Sequence, residues 1–279
     1  MRRSQRLPLI TKTLLDRPGQ LISLTELAQC FGAAKSTISE DVAIIRDAFA
    51  ARKMGRIETV AGAAGGVRYI PGLSDEAIVE TVSELCEALS DPQRILPGGF
   101  LYMSDLVSSP TLMSRVGELF AGRFYSEGPV DAVVTLETRG IPIALMTARA
   151  LNAPLAIVRR ASRVTEGTVV TMNYVSGSAK RIETMSLSRR ALPPGARVLI
   201  IDDFMKAGGS ARGLVDLMEE FGAKVVGMGV LIATAEPRQK LVKEYVALAV
   251  LELVDEERRE VVVRPSGWVE RLREGGPGP

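Results

Sequence analysis

The sequence predicts an α/β chain in two parts: an N-terminal winged helix-turn-helix domain and a C-terminal domain with a parallel sheet flanked by helices. Three observations carry that prediction. A chain of 279 residues, 46% apolar and 24% charged, favours two soluble globular units over one. Charge is split unevenly, with 11 Lys or Arg against 6 Asp or Glu in residues 1–73, a net of +5, and 24 against 27 in residues 74–279, a net of −3. The hydrophobic pattern changes near the same place, from short helical stripes and one hairpin to continuous apolar runs that alternate with helical segments. The domain boundary is therefore set at 73/74.

Composition removes several classes of function. The chain has no histidine, which excludes a Ser-His-Asp triad and His-ligated zinc catalysis. Cys30 and Cys86 fall far apart in predicted helices and read as reduced thiols, as expected of a cytoplasmic protein. Apolar runs such as residues 245–251 are well short of the roughly 18 residues that span a bilayer, so no membrane partner is expected. Arg2-Arg3 resembles the start of an export signal, but Thr11, Lys12 and Asp16 interrupt the apolar stretch that should follow.

Leu7, Ile10 and Leu14 recur at helical spacing until Pro18-Gly19, and Leu21-Ile22 make a short extended piece. Ser23-Leu24-Thr25-Glu26 has the pattern of a capping box and opens a helix that Gly32 ends. A second helix starts near Lys35 with Ile38, Val42, Ile45 and Phe49 on its inner stripe. Two short helices joined by a glycine-containing turn, the second beginning with short polar donors, is the pattern of a helix-turn-helix. Residues 56–60 and 67–70, separated by a glycine-rich turn, add a β-hairpin, which makes the unit a winged helix. Lys35, Ser36, Thr37, Ser39, Arg52, Lys53 and the wing residue Arg68 are the expected contacts to duplex DNA, because cations suit phosphates and short donors suit base edges. Glu40 and Asp41 are expected to cap the helix or to face away from the phosphates. The alternatives are a small helical bundle and a solvated basic face without a partner.

Ser74 is positioned to cap a helix striped by Ile78, Val82, Leu85 and Leu89, which packs on the body or on another chain. Residues 130–136, 155–158, 198–201 and 225–232 then form apolar runs separated by helical segments, the mark of a parallel sheet covered on both faces. Ligands in such sheets bind beyond the carboxyl ends of the strands. The end of the 198–201 run opens into Asp202-Asp203-Phe204-Met205-Lys206-Ala207-Gly208-Gly209-Ser210, followed at once by a helix. Loop amides from Lys206 to Ser210 and the helix N-terminus suit a phosphate, while Asp202 and Asp203 suit sugar hydroxyls beside it, so the element fits a ribose 5-phosphate. Gly-Gly-Ser alone would be an ordinary turn.

This string resembles the phosphoribosyl pyrophosphate (PRPP) binding motif of the type I phosphoribosyltransferase family. The resemblance extends to Glu137, Thr138, Arg139 and Gly140, which match that family's pyrophosphate loop and would contact the diphosphate or its metal. Residues 173–189, with Asn173, Tyr174, Ser178, Lys180 and Arg181, match its flexible lid; a solvated surface hairpin is the alternative. Tyr102, with Phe100 in a hood segment, joins Lys180 among the expected ligand contacts.

With the winged helix ahead of it, the whole chain is similar to the purine operon repressor family of Gram-positive bacteria. That similarity implies a homodimer that binds operator DNA upstream of purine genes, with PRPP as the effector that weakens binding, although some relatives activate. It implies a phosphoribosyltransferase-like domain used for binding and dimerisation, without transferase activity and without a required cofactor; whether magnesium accompanies the ligand stays open. Ala207 departs from many transferases, which carry threonine there. The alternative is an active purine-base phosphoribosyltransferase with an added helical domain.

Overall fold

The computed structural model describes residues 1–62, 65–161, 164–175 and 181–276. The head contains α1 (Arg3–Asp16), α2 (Leu24–Phe31), α3 (Lys35–Arg52) and the hairpin of β1 (Arg56–Val60) and β2 (Gly66–Ile70). Ser23 Oγ accepts the Glu26 N–H at 3.0 Å, as the capping pattern predicts, but the Glu26 carboxylate accepts from Arg17 at 3.1 Å instead of returning to the cap. Ile22 exchanges backbone hydrogen bonds with Val67, so the short extended piece becomes a third strip of the wing's base. Ile10, Leu14, Leu27, Ile38, Val42, Ile45, Ile57 and Val67 make one core.

Of the two placements expected for Asp41 the second holds: it does not cap α3 but turns inward, away from the helix's outer face, fully buried, ion-paired with the buried Arg6 of α1 and 3.1 Å from Arg3 Nε. Its position three residues after Ile38 puts it on the inner stripe, and burying that carboxylate requires a cation alongside it.

The body begins with α4 (Asp75–Leu89), whose Ser74 Oγ accepts the Ala77 N–H at 3.1 Å. Val82, Leu85 and Leu89 bury into the body's own core, which settles what that stripe packs against. A small hairpin follows, β3 (Ile95–Leu96) and β4 (Phe100–Leu101), then α5 (Ser104–Val107), α6 (Pro110–Phe124), β5 (Ala132–Leu136), α7 (Gly140–Leu151) and β6 (Leu155–Val158). After β7 (Val169–Val175) and β8 (Ile182–Ser188) come β9 (Arg197–Met205), α8 (Gly209–Glu220), β10 (Lys224–Thr234), β11 (Val246–Asp255), β12 (Glu260–Pro265) and α9 (Gly267–Arg273).

The main sheet has the order β12-β11-β10-β9-β5-β6, parallel throughout except for β12, which returns antiparallel to β11. Alternation along the strands feeds two cores. Val133, Leu199, Ile201 and Leu231 face the side holding α4, α6, α7 and α9, while Val134, Ile200 and Val230 face α8 and the β7–β8 hairpin. Both faces are therefore covered, as the unbroken apolar runs require. No helix of the described residues is long and apolar enough to cross a membrane.

Candidate ligand cleft and nucleic-acid interface

β9 continues four residues past the predicted 198–201 run, because Asp202, Phe204 and Met205 pair with Val230, Ile232 and Ala233 of β10. The acid pair thus lies within the strand, and its two side chains project to opposite faces. Asp202 faces the cleft. Asp203 is buried and turns towards the start of α7, with its Oδ2 3.1 Å from Arg139 Nε. Burial, reinforced by the charge of Asp203, pushes the Asp202 carboxyl well above the usual aspartate range, although its Oδ1 accepts the Asp203 N–H at 2.9 Å.

Beyond Met205 the chain turns through Lys206, Ala207 and Gly208 into α8. Gly208 has φ +83°, and a β-carbon there would come 3.3 Å from the Leu241 nitrogen, so backbone conformation and space both favour glycine. Leu241 N–H donates to Ala207 C=O at 2.9 Å, tying the loop to the β10–β11 connection. No side chain caps α8 or α7, and neither has an acid in its first turn, whereas serines cap α2, α4 and α6. Two helix N-termini with uncapped amides converge on one place, an electrostatic setting for anions.

The cleft there has a volume of about 620 Å³ and includes Arg139, Asp202 and the whole of Phe204 to Ser210 in its lining. Gly140 lets the start of α7 approach β5 and β9 closely, since a β-carbon there would lie 2.5 Å from Thr135 Oγ1 and 2.7 Å from Asp202 Oδ1. Phe100 lines the cleft and is exposed; Tyr102 is not among the lining residues, and its carbonyl accepts from Arg94. The opposite wall is apolar, from Leu251, Leu253 and Val254 of β11, with Glu252 beside them. Sequence reasoning missed that wall because β11 carried no motif, only hydrophobicity.

Thr138 is exposed in the loop before α7, and Glu137 of the same loop is half-buried and is not among the residues lining the cleft. Glu137 accepts the Arg160 N–H at 2.7 Å and a bond from Arg159 at 3.1 Å. The Arg160 guanidinium in turn donates to Tyr174 Oη at 2.8 Å and pairs with Glu183, so Arg160 ties the β7–β8 hairpin to the loop, its backbone N–H on Glu137 and its side chain on the hairpin. Burial and the bond to Glu183 raise the Tyr174 phenol above its ordinary value. This hairpin occupies the place of the expected lid, with Asn173 exposed on it; Ser178 and Lys180 lie outside the described residues.

At the other end of the molecule, Lys35, Ser36 and Ser39 are exposed on the first turns of α3, with Thr37 half-buried beside them. Arg52 is exposed near the end of α3. Lys53 and Arg68 have carboxylate partners: Lys53 Nζ donates to Glu76 at 2.6 Å, and Arg68 Nε to Glu58 across the hairpin at 2.6 Å. Their charges are compensated within the chain, unlike that of Lys35, which has no ion pair among the described residues.

Residues 103–266 match the family described as the phosphoribosyl transferase domain. The fold is also that of yeast adenine phosphoribosyltransferase, from Saccharomyces cerevisiae, with a TM-score of 0.53 at 22% identity over 60% of this chain and 98% of that one. A winged helix-turn-helix joined to a phosphoribosyltransferase fold, with a glycine loop open to a cleft, defines the class of the protein. The head, residues 2–71, matches the family described as the bacterial purine repressor, N-terminal. Along 96% of its length the chain is 44% identical to the purine biosynthesis transcriptional repressor PurR of Bacillus subtilis strain 168, covering 94% of that protein. It is 39% identical to the purine biosynthesis transcriptional activator PurR of Lactococcus lactis subsp. lactis strain IL1403, over 95% of this chain and 97% of that one. The chain belongs to the purine repressor family.

Proposed function

We propose that this protein is a DNA-binding transcriptional regulator of purine biosynthesis genes, acting as a repressor, with PRPP as the effector that weakens operator binding. The observation that carries the reading is the union of a purine repressor head with a transferase-type anion loop in one chain, matched end to end by regulators. The first turns of α3 supply the donors and the charge for operator contact, with Lys35 at their start. In the cleft, the amides of Lys206 to Ser210 would receive the 5-phosphate, and Asp202 a ribose hydroxyl. A diphosphate at the α7 N-terminus would compete with Asp203 for Arg139, so Asp203 would act on the ligand through that guanidinium. No resident cofactor belongs to this reading, and magnesium would enter only with the diphosphate. A homodimer suits it, because one wing binds one half-site weakly.

A second reading, a purine-base phosphoribosyltransferase, is kept by the apolar wall of β11 opposite Phe100, which could hold a planar base. Ala207 and the regulator relatives weigh against it.

Asp203→Ala should abolish the response of operator binding to PRPP while leaving operator affinity itself within about twofold, read by gel shift with and without the effector. Intact effector response would overturn the cleft assignment. Incubation with PRPP, magnesium and each purine base, followed by nucleotide analysis, should give no turnover; enzyme-like rates would reverse the ranking.

A further inference from the structure

A second cavity of about 520 Å³ lies between head and body and shares no lining residue with the cleft at β9. Its walls come from the end of α3, the start of β1, the 70–75 connection, α6 and α9. That size is within the roughly 300–1,000 Å³ of small-molecule sites, and domain interfaces are favoured places for them.

The cavity is short of negative charge. Lys53 is satisfied by Glu76, and Asp75 stands in the first turn of α4, but Arg56 and Arg123 have no carboxylate partner among the described residues. Arg56 rests 5.8 Å from the Tyr125 ring centroid, and Arg123 5.8 Å from that of Phe124. The Nε of Arg123 is buried without a hydrogen-bond acceptor among the described residues, which leaves the cavity-facing part of the guanidinium as the group an anion would meet. Beside these two guanidinium groups are the rings of Tyr125 and Trp268 and the side chains of Ile78 and Leu272. Guanidinium groups match phosphate oxygens in geometry and charge, and aromatic rings stack on planar bases.

We propose that this interdomain cavity binds a mononucleotide, its phosphate between Arg56 and Arg123 and its base against Trp268 and the apolar wall. The site needs neither PRPP nor DNA for its recognition, and it joins the two domains, because Arg56 belongs to the head and Arg123 to the body.

Trp268 is the chain's single tryptophan, so its emission reports on the cavity directly. The full chain is titrated with AMP, with GMP and with inorganic phosphate, with calorimetry alongside. A saturable change in Trp268 emission with at least one mononucleotide is expected, at concentrations at least tenfold below those at which inorganic phosphate acts. Arg56→Gln, an exposed substitution that leaves the core untouched, should weaken binding at least tenfold, and Arg123→Gln likewise in protein whose melting shows it folded. Asp203→Ala should leave the titration unchanged. Three results would overturn the proposal: no emission change and no heat, equal affinity for inorganic phosphate, or binding lost in Asp203→Ala and retained in Arg56→Gln.

Discussion

Asp41 and Arg6 illustrate how single residues fix the head. Their ion pair is buried, with Asp41 at 0% and Arg6 at 5% exposure, so removing one partner leaves the other charged in an apolar setting. Asp41→Ala is expected to cost about 3–5 kcal/mol, read as a shift in the urea midpoint, with operator affinity falling as α3 loosens. A signal for this pair was present in the sequence, since Asp41 interrupts the stripe of Ile38, Val42 and Ile45, and Arg6 precedes Ile10 and Leu14 by one and two turns. Asp202 makes a different statement. Its raised carboxyl lets the folded chain keep a proton that the unfolded chain releases, so stability falls as pH climbs from the ordinary aspartate range towards the raised value. Asp202→Asn cannot ionise, and its melting temperature should vary less between about pH 4 and 7 than that of the parent chain.

At the level of elements, α8, whose start lines the cleft, packs closely on the β7–β8 hairpin. A β-carbon at Gly213 would lie 2.8 Å from Met185 Cε and 2.9 Å from Tyr174 Cβ, so the absence of a side chain lets helix and hairpin touch. Gly213→Val should push the hairpin off α8, weakening the proposed PRPP binding at least tenfold by calorimetry and increasing protease cleavage within residues 182–189. Unchanged affinity would show that the hairpin does not serve the ligand. The helices and the central strands were legible because their periodicity and caps are local: Ser23, Gly32 and Ser74 all stand where the chain turns. Other elements were not. The extension of β9 through the acid pair follows from pairing with β10, and the antiparallel return of β12 from pairing with β11, which no local pattern encodes.

Across the whole molecule, head and body meet at the ion pair of Lys53 with Glu76 and where Arg56 lies over Tyr125. Ion pairing of Lys53 and Arg68 within the chain changes the expected pattern of DNA recognition. Operator affinity should fall steeply with salt, by about 0.9 in log-log slope for each phosphate neutralised. Lys35→Gln should reduce that slope by about one such unit, whereas Arg68→Gln and Lys53→Gln should reduce it by less than half as much, since each has a carboxylate partner in the chain. Gel shifts over a salt series measure this, and equal effects at the three positions would show that DNA draws Arg68 and Lys53 out of their ion pairs.

The amino-acid sequence by itself determined the two-part architecture, the winged helix and the glycine loop that opens α8, because each is written in neighbouring residues: hydrophobic period, caps, glycines and an acid pair before a helix. Only the tertiary structure decided that Asp202 and Asp203 face different ways, that Phe100 rather than Tyr102 lines the cleft, and that Lys53 and Arg68 are already paired. Those outcomes depend on which side chains distant segments bring within a few ångströms of each other, and electrostatic partnership is a property of that distance rather than of sequence spacing.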